Sequence, residues 1–426
     1  MKNNIILLVL LTFFSICLKG QIYAGPIHQP TSGYGADGSY SVASASFANP
    51  NFPTEDIRIY YPAGIASKVP TIFYSHGFGG NNPSNIMGLL KFVAQKGYAI
   101  VFVPYQTTGV TVPQRYSNLL NGFIKAARDY PNLIDTTKVG FMGHSFGGGA
   151  TFANAYYCFT HLNWGESGRF IFASAPYYSF NISQTELQSF PANVKLLTMV
   201  YDNDSTNDHR MAIDIFKNIN IPASEKDYLL VKSDTINGYV YEAVHGVPNT
   251  LSAFDALDYY AIYRHLDALC DYTFNGSLAG KDIALGNGSA NQIFMPIGMK
   301  NLEQSDSPFP KYPENIYTYT CSDIDNPRQE YCNSTSSVAQ TENEIIVDIF
   351  PNPAQSTFTI SCKDQYFSFA VYDYSGRKIR SENSIYQNTT INTEEFPNGI
   401  YFVSITLKNG KKWTEKLMIN SAFNRK

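Results

Sequence analysis

Apolar runs and helix-like periodicities alternate along the chain from about Gly33 to Leu269. Short apolar runs predict buried strands, and segments with apolar residues at helical spacing separate several of them. The predicted strands are TIFYSH (71–76), YAIVFV (98–103), KVGFMG (138–143), RFIFASA (169–175) and VKLLTMVY (194–201). The predicted helices include SNIMGLLKFVAQKG (84–97), VPQRYSNLLNGFIKAARDY (112–130) and LSAFDALDYYAIYRHLDAL (251–269). This alternation predicts an α/β architecture, a mostly parallel sheet covered by helices on both faces.

The pattern changes twice towards the C-terminus, so we expect five segments. Residues 1–20 have a lysine and a short apolar run typical of a secretory signal peptide. Residues 21–270 are expected to form the α/β domain, and residues 271–332, rich in Asn, Ser, Pro and Tyr, an irregular extension packed on it. Residues 333–344 read as a polar linker. Residues 345–426 show short alternating strands separated by turns, which predicts a small all-β sandwich.

The charge of the chain argues against nucleic acid as a partner. Charged residues make up 15% of the chain, the net charge is −4, and no long basic run occurs. Because nucleic-acid binding needs a clustered positive surface, we expect no nucleic-acid partner. No stretch after the signal peptide is long and apolar enough to predict a transmembrane helix.

Cysteines that follow the signal peptide can form disulfides in an exported protein. They are Cys158, Cys270, Cys321, Cys332 and Cys362. Cys321 with Cys332, or Cys270 with either of them, are competing pairings, and sequence leaves the choice among these and Cys158 open. The spacings do not resemble a zinc site, and we expect no metal and no cofactor.

The sequence GHSFG, residues 143–147, has the G-x-S-x-G pattern of a nucleophile elbow. An apolar strand precedes it and the helical segment GGATFANAYY follows. On such a bend a serine hydroxyl stands clear of the sheet, and the glycines relieve crowding between strand and helix. We therefore predict that Ser145 is a catalytic nucleophile.

A serine nucleophile needs a base, and in this kind of site the acid and then the histidine follow the serine along the chain. His209, His245 and His265 all follow Ser145. His245 lies in a loop before the last long helix, whereas His209 and His265 fall at or inside helices. We favour His245 as the base.

The acid is expected directly after the strand VKLLTMVY, in the sequence DNDSTNDH. This loop offers Asp202, Asp204 and Asp208, of which Asp208 could instead cap the next helix. A calcium site is a weaker reading, because the loop lacks the glycine turn and the following glutamate. The choice among the three carboxylates stays open at this point.

An ester hydrolase also needs hydrogen-bond donors for the developing oxyanion. The backbone N–H of Phe146, directly after the serine, is one expected donor. The glycine-rich loop SHGFGG, residues 75–80, is expected to supply the other from Phe78, with His76 shaping the loop.

Six motifs resemble the cutinase-like branch of the α/β-hydrolases, which includes the bacterial polyester hydrolases and lies near the dienelactone-hydrolase-like group. They are GSYSVASASF, IRIYYPAG, YSHGFGG, GHSFGGGATF, YDNDS and HGVPN, in that order. The resemblance covers about residues 38–269 and implies the α/β-hydrolase fold. Carried over by position, it implies Ser145 as nucleophile, Asp204 as acid, His245 as base and the amides of Phe78 and Phe146 as oxyanion donors. Phe78, Phe146 and Tyr177 would then contact the substrate.

The chain departs from that family at several positions. Phe146 stands where the family has methionine, and Tyr177 where it has tryptophan. The insertion CFTHLNWGESGRF around Trp164, which could form a lid, and the long segment after Cys270 are also unlike the family. These departures would reshape the acyl and alcohol pockets and leave the reaction itself intact.

The C-terminal segments FPNP, YDYSGRKI and FPNGIYFVSI closely resemble the sorting domain of the type IX secretion system. The resemblance implies export across the outer membrane, to a secreted or cell-surface location, with the secretion machinery as a partner.

We therefore expect a secreted, monomeric serine carboxylester hydrolase that acts through an acyl-enzyme on an ester or polyester. A small-ester or lipid esterase, a serine peptidase and a non-catalytic exported binding protein are the alternatives.

Overall fold

The computed structural model describes residues 24–251, 253–296, 298–332, 347–373, 377–394, 396–407 and 412–420. The chain divides between residues 336 and 337 into two compact units, which are described separately. The predicted signal peptide (1–20) and the predicted linker (333–344) lie outside the described residues.

The first unit is built on a nine-stranded sheet with the order β1-β2-β4-β3-β5-β6-β7-β8-β11. Its strands are β1 (Val42–Ala48), β2 (Asp56–Pro62), β3 (Val69–Ser75), β4 (Ala99–Phe102), β5 (Ile134–His144), β6 (Gly168–Ser174), β7 (Val194–Tyr201), β8 (Lys226–Val231) and β11 (Glu303–Gln304). A separate hairpin pairs β9 (Asp234–Ile236) with β10 (Tyr239–Tyr241).

The helices of this unit lie between and after the strands. They are α1 (Met87–Gln95), α2 (Val112–Asp129), α3 (Phe146–His161), α4 (Gln184–Gln188), α5 (His209–Asn218), α6 (Arg264–Asn275), α7 (Leu278–Ala284) and α8 (Ala290–Ile293). Single turns of 3-10 helix occur at Pro83–Ile86, Ala223–Glu225, Glu314–Ile316 and Gln329–Tyr331, and a π-helical segment, Leu257–Tyr263, leads into α6. Among the described residues, none of the helices is long and apolar enough to cross a membrane.

Local sequence explains where the longer helices begin and end. Thr111 and Gln114 form a reciprocal capping box at the start of α2, which satisfies N–H groups that the first helical turn leaves free. Gly276, in the left-handed conformation, ends α6. Helix α6 continues through residue 270, where the sequence predicts the α/β domain to end.

Two apolar cores cover the two faces of the sheet. One contains Leu90 of α1 and Leu266 of α6, and the other contains Phe123 of α2 and Phe152 of α3. The first unit is therefore layered, with helices on both faces of the sheet.

The predicted α/β-hydrolase fold with a mostly parallel sheet is wrong, because the sheet is mixed and antiparallel at both edges. Strands β3 to β8 pair in parallel, but β1 with β2, β2 with β4, and β11 with β8 are antiparallel. The physical reason for the β1–β2 pairing is the short connection, residues 49–55, since a parallel crossover needs about a dozen residues or more.

The second unit is a five-stranded antiparallel sheet rather than the predicted sandwich. Its strands are β12 (Val347–Phe350), β13 (Thr357–Asp373), β14 (Lys378–Asn392), β15 (Gly399–Leu407) and β16 (Lys412–Ile419). The order is β12-β13-β15-β16, with β14 also paired to β13. The long strand β13 pairs with three others, so one sheet takes up all five strands. Phe358, Ile360, Val403 and Leu417 are among the residues of its apolar core.

Candidate active site

Ser145 sits on a sharp bend between β5 and α3, at the carboxyl ends of the parallel strands. Its backbone angles, φ 55° and ψ −123°, are uncommon for a residue with a side chain and cost about 1–3 kcal/mol. A Cβ on Gly147 would lie 2.0 Å from the carbonyl oxygen of Ser75, and one on Gly143 would lie 2.3 Å from the carbonyl oxygen of Gly147. The bend therefore requires glycine on both sides of the serine.

The bend presents the Ser145 hydroxyl to a histidine and, beyond it, to a carboxylate. Ser145 Oγ lies 2.8 Å from His245 Nε2, and His245 Nδ1 lies 2.7 Å from Asp204 Oδ2. A carboxylate accepts hydrogen bonds, so His245 Nδ1 carries the proton and Nε2 is free to accept the proton of Ser145. The three residues that the sequence singled out thus form one continuous hydrogen-bonded chain.

Asp204 is buried and held in place by the backbone of its own loop. Its Oδ1 accepts hydrogen bonds from the N–H groups of Thr206 (2.7 Å) and Asn207 (3.2 Å). Burial pulls the pKa of the Asp204 carboxyl upward, but the hydrogen bond and charge of His245 and the two N–H groups outweigh it and hold that pKa below its ordinary value. The carboxylate is therefore ionised at neutral pH and can stabilise a protonated His245.

The other two carboxylates of the loop have structural roles. Asp202 Oδ1 accepts hydrogen bonds from the N–H and the hydroxyl of Ser233, both at 2.8 Å. Asp208 caps α5, pairs with Arg210 at 3.0 Å and accepts a hydrogen bond from the N–H of Cys321 at 3.1 Å. Of the three candidates, Asp204 is the one that contacts His245.

The other two histidines considered for the base are buried away from the serine. His209 Nε2 lies 2.9 Å from the carbonyl of Tyr201, and His265 lies between the carbonyls of Tyr260 and Gln292. Burial lowers the pKa of both, that of His265 to about 3. Both are neutral packing residues.

Two residues that sequence reasoning missed contact His245 or lie close to Ser145. His144 Nε2 donates to the carbonyl oxygen of His245 at 2.5 Å, and burial lowers the pKa of His144 to about 3, so its ring stays neutral. The amide Nδ2 of Asn207 donates to the carbonyl of Ala175 at 2.9 Å and lies 3.5 Å from Ser145 Oγ. His144 directly precedes Ser145 in the sequence, and Asn207 follows Asp204 by three positions. This closeness in sequence was the signal that could have pointed to both residues.

The two residues predicted to supply oxyanion donors both belong to segments next to Ser145. Phe146 is the first residue of α3, so its N–H has no acceptor within the helix. A Cβ on Gly77, the residue before Phe78, would lie 3.2 Å from Ser145 Cβ, which places that loop directly against the nucleophile. His76 is buried and stacks on Tyr105 at 4.1 Å; burial lowers its pKa to about 4.

The aromatic side chains expected at the cleft differ in exposure. The Phe78 ring is 58% exposed, whereas Phe146 is 3% exposed and packs against Tyr105 and Tyr116. Tyr177 is partly exposed, and its N–H donates to the carbonyl of Ser145 at 2.9 Å. Phe78 and Tyr177 can therefore contact a substrate with their rings, whereas the buried ring of Phe146 packs beside Tyr177, with 6.1 Å between the ring centroids.

The extension after residue 270 contributes to this site, which the sequence did not predict. The N–H of Tyr319 donates to the carbonyl of Thr206 at 2.8 Å, and the N–H of Asp208 donates to the carbonyl of Tyr319 at 3.0 Å. The Tyr319 ring stands edge-on to Tyr177 at 5.1 Å. The extension thus braces the acid loop and adds an aromatic wall beside Tyr177.

A disulfide closes the end of this extension. Cys321 and Cys332 are bonded, with their Cα atoms 5.5 Å apart. Among the described residues, Cys158, Cys270 and Cys362 are free and buried. The structure thereby decides the pairing that the sequence left open.

The segment around Trp164 does not form a lid. Trp164 is buried and its ring stacks on Phe73 at 4.9 Å in the sheet core. It precedes β6, whose first residue, Gly168, pairs with Lys138, whereas Ser145 follows the opposite end of β5. The length of β5 therefore separates Trp164 from Ser145.

In the part of the chain that the structure describes, no group of three or more His, Cys, Asp or Glu side chains is placed to hold a metal ion.

Comparison with known families identifies the C-terminal region. Residues 348–420 match the model of the secretion system C-terminal sorting domain. This match confirms the sorting domain expected from the sequence, and it covers most of the second unit. The protein is exported by type IX secretion to the cell surface or the extracellular space, and the secretion machinery is its partner in export.

A short stretch of the chain is similar to a curated enzyme. Over 94 residues the chain is 35% identical to an endo-acting ulvan lyase of Formosa agariphila. The match covers 20% of this chain and 18% of the lyase, so the chain spans less than a fifth of the length of that relative. A match of this extent carries no argument about the chemistry of Ser145.

Proposed function

We propose that the protein is an exported serine carboxylester hydrolase. The observation that carries this proposal is the chain of contacts from Ser145 Oγ through His245 to the buried carboxylate of Asp204. A serine hydroxyl is a weak nucleophile by itself, and a histidine oriented by a carboxylate is a recurrent way to activate it.

The first half-reaction forms an acyl-enzyme. Ser145 Oγ attacks the ester carbonyl carbon while its proton moves to His245 Nε2, and Asp204 stabilises the imidazolium that results. The oxyanion then faces the N–H groups of Phe146 and Phe78, at the positive end of the α3 dipole. His245 returns the proton to the alkoxide oxygen as the C–O bond breaks, so the alcohol leaves.

Water completes the cycle. His245 Nε2 takes a proton from a water molecule that attacks the acyl carbon, and a second tetrahedral intermediate forms at the same donors. Its collapse breaks the bond to Ser145 Oγ, which regains the proton from His245. A carboxylic acid is released and no cofactor is consumed.

A polyester or cutin-like substrate is the sharper form of the proposal. The resemblance of the motifs between residues 38 and 269 to cutinase-like polyester hydrolases supports it. The exposed ring of Phe78 and the partly exposed ring of Tyr177 suit a substrate with apolar groups. Release of soluble acid from a polyester film separates this form from a small-ester esterase.

The test of the proposed function is hydrolysis of para-nitrophenyl acetate, butyrate and benzoate by the full chain. We expect turnover by the wild type and a loss of about 10⁴-fold or more in kcat for Ser145→Ala. A matched anilide, in which an amide replaces the ester, tests whether peptidase activity accompanies it.

A covalent label makes the test independent of the choice of ester. An organophosphate such as diethyl para-nitrophenyl phosphate phosphorylates an activated serine, and peptide mass mapping locates the adduct. We expect the adduct on Ser145. Turnover that persists in Ser145→Ala, or an adduct on another residue, contradicts the assignment.

A further inference from the structure

Arg115 is a cation whose position the fold alone does not explain. It lies in the first turn of α2, where the helix dipole disfavours a positive charge. None of the ion pairs found among the described residues involves it. Its Nη2 donates to the carbonyl of Val110 at 3.3 Å, and its buried Nε has no hydrogen-bond partner.

The guanidinium of Arg115 lies beside the proposed oxyanion site. Its Cζ is 5.3 Å from the centroid of the Phe78 ring and 5.4 Å from that of Phe146, the two residues whose amides are the proposed donors. Burial raises the pKa of the Tyr105 and Tyr177 hydroxyls, and the charge of Arg115 opposes that rise at both. Arg115 therefore lies beside the two residues, Phe78 and Phe146, whose amides are proposed to bind the oxyanion.

Stacking on an aromatic ring leaves a guanidinium able to bind an anion. The ring contacts its flat face, whereas its N–H groups point outward in the plane and match the two oxygens of a carboxylate. Asp204 is the carboxylate linked to Ser145 through His245. It already accepts hydrogen bonds from His245, Thr206 and Asn207. The positive charge at Arg115 is thus available to a ligand.

We propose that Arg115 binds a carboxylate carried by the acyl group of the substrate, so that the enzyme prefers monoesters of dicarboxylic acids to neutral esters of the same shape. This inference rests on the proposed ester hydrolase function of Ser145. Such monoesters are the chain ends and partial hydrolysis products of a polyester built from a dicarboxylic acid.

The test compares two para-nitrophenyl esters that differ only in charge, the para-carboxybenzoate and the para-carbamoylbenzoate. A para carboxylate cannot reach its own ester, so it does not accelerate the uncatalysed reaction. We expect wild-type kcat/KM to be about ten- to a hundredfold higher for the carboxylate than for the neutral ester, as one charge-assisted contact implies.

Arg115→Gln removes the charge, and we expect the ratio of the two kcat/KM values to fall to about one. Arg115→Lys keeps the charge without the planar fork, so an intermediate ratio is expected. Arg128→Gln is the matched control, because Arg128 lies at the other end of α2, is 69% exposed and pairs with Asp129. We expect this control to keep the wild-type ratio.

Ionic strength gives a readout that does not depend on folding of a variant. The wild-type preference for the carboxylate should decrease as NaCl rises from about 0.02 M to about 0.5 M, and the neutral ester should be unaffected. A wild type that hydrolyses both esters equally, or a ratio unchanged in Arg115→Gln, overturns the role of Arg115 and leaves the ester hydrolase intact. A wild type that hydrolyses neither ester and takes no organophosphate on Ser145 overturns the proposed function itself.

Discussion

Asp204 Oδ2 and His245 Nδ1 meet at 2.7 Å, although 41 positions of sequence separate the two residues. Strand β7 delivers the aspartate, and the loop that follows the β9–β10 hairpin delivers the histidine. The contact is supported from both sides, since the N–H groups of Thr206 and Asn207 hold the carboxylate and His144 holds the carbonyl of His245.

Asp204→Asn tests the orienting role of this carboxylate. The amide cannot stabilise an imidazolium, so we expect kcat on a para-nitrophenyl ester to fall by about 10³- to 10⁴-fold. Asp202→Asn is the control, because Asp202 contacts Ser233 rather than His245. Equal losses in the two variants would contradict the assignment of the acid.

The pKa of Asp204 predicts a contribution to stability that depends on pH. Its folded-state pKa is lower than the ordinary value, so the ionised form favours the folded protein. This contribution is present above the unfolded pKa of about 3.9 and is lost as pH falls through the folded-state pKa. We expect the Tm of the wild type to decrease more than the Tm of Asp204→Asn as the pH falls from about 5, above the unfolded pKa, to about 2.5. Parallel melting curves across that range would refute the linkage.

Gly147→Ala tests the tightness of the bend. Its Cβ would lie 2.0 Å from the carbonyl oxygen of Ser75. The oxygen belongs to the backbone and the backbone fixes the position of the Cβ, so neither atom can move aside without moving the chain. We expect a loss of about 3 kcal/mol in the free energy of unfolding, measured with urea. Gly246→Ala is the control, because a Cβ there meets no atom within 4 Å. A stable, fully active Gly147→Ala would mean that the bend has more room than its geometry indicates.

The disulfide between Cys321 and Cys332 is predicted to stabilise the acid loop through the extension. The paired Cys321→Ser and Cys332→Ser variant should lose about 3 kcal/mol, as expected for a loop of this size. Because Asp208 and Thr206 bond to this segment, kcat should fall as well. A reductant should reproduce both effects in the wild type and have no effect on the double variant. Unchanged stability on reduction would show that packing alone holds the extension.

Local sequence patterns located much of the central structure. The runs KVGFMG and VKLLTMVY lie in β5 and β7, and the helical pattern from Val112 coincides with α2 to within a residue. Hydrophobic periodicity is a local property, so it can be read without knowing which segments meet. Hydrophobic periodicity did not predict the edge strands β1 and β11. Strand β1 has half-buried and exposed residues but no buried ones, and β11 has two residues. Both are strands because they pair with a neighbouring strand, and not because their sequences are strongly apolar.

The sequence by itself determined the bend at Ser145 and the sorting domain, because each depends on residue types at short, constant spacing. Tertiary structure alone decided which aspartate contacts His245, which cysteines pair, and that Tyr319 and Arg115 border the site. Those contacts join residues that are from 11 positions apart, for the two cysteines, to more than a hundred, for Tyr177 and Tyr319. Chain folding sets such distances through the packing of whole elements, and no local spacing encodes them.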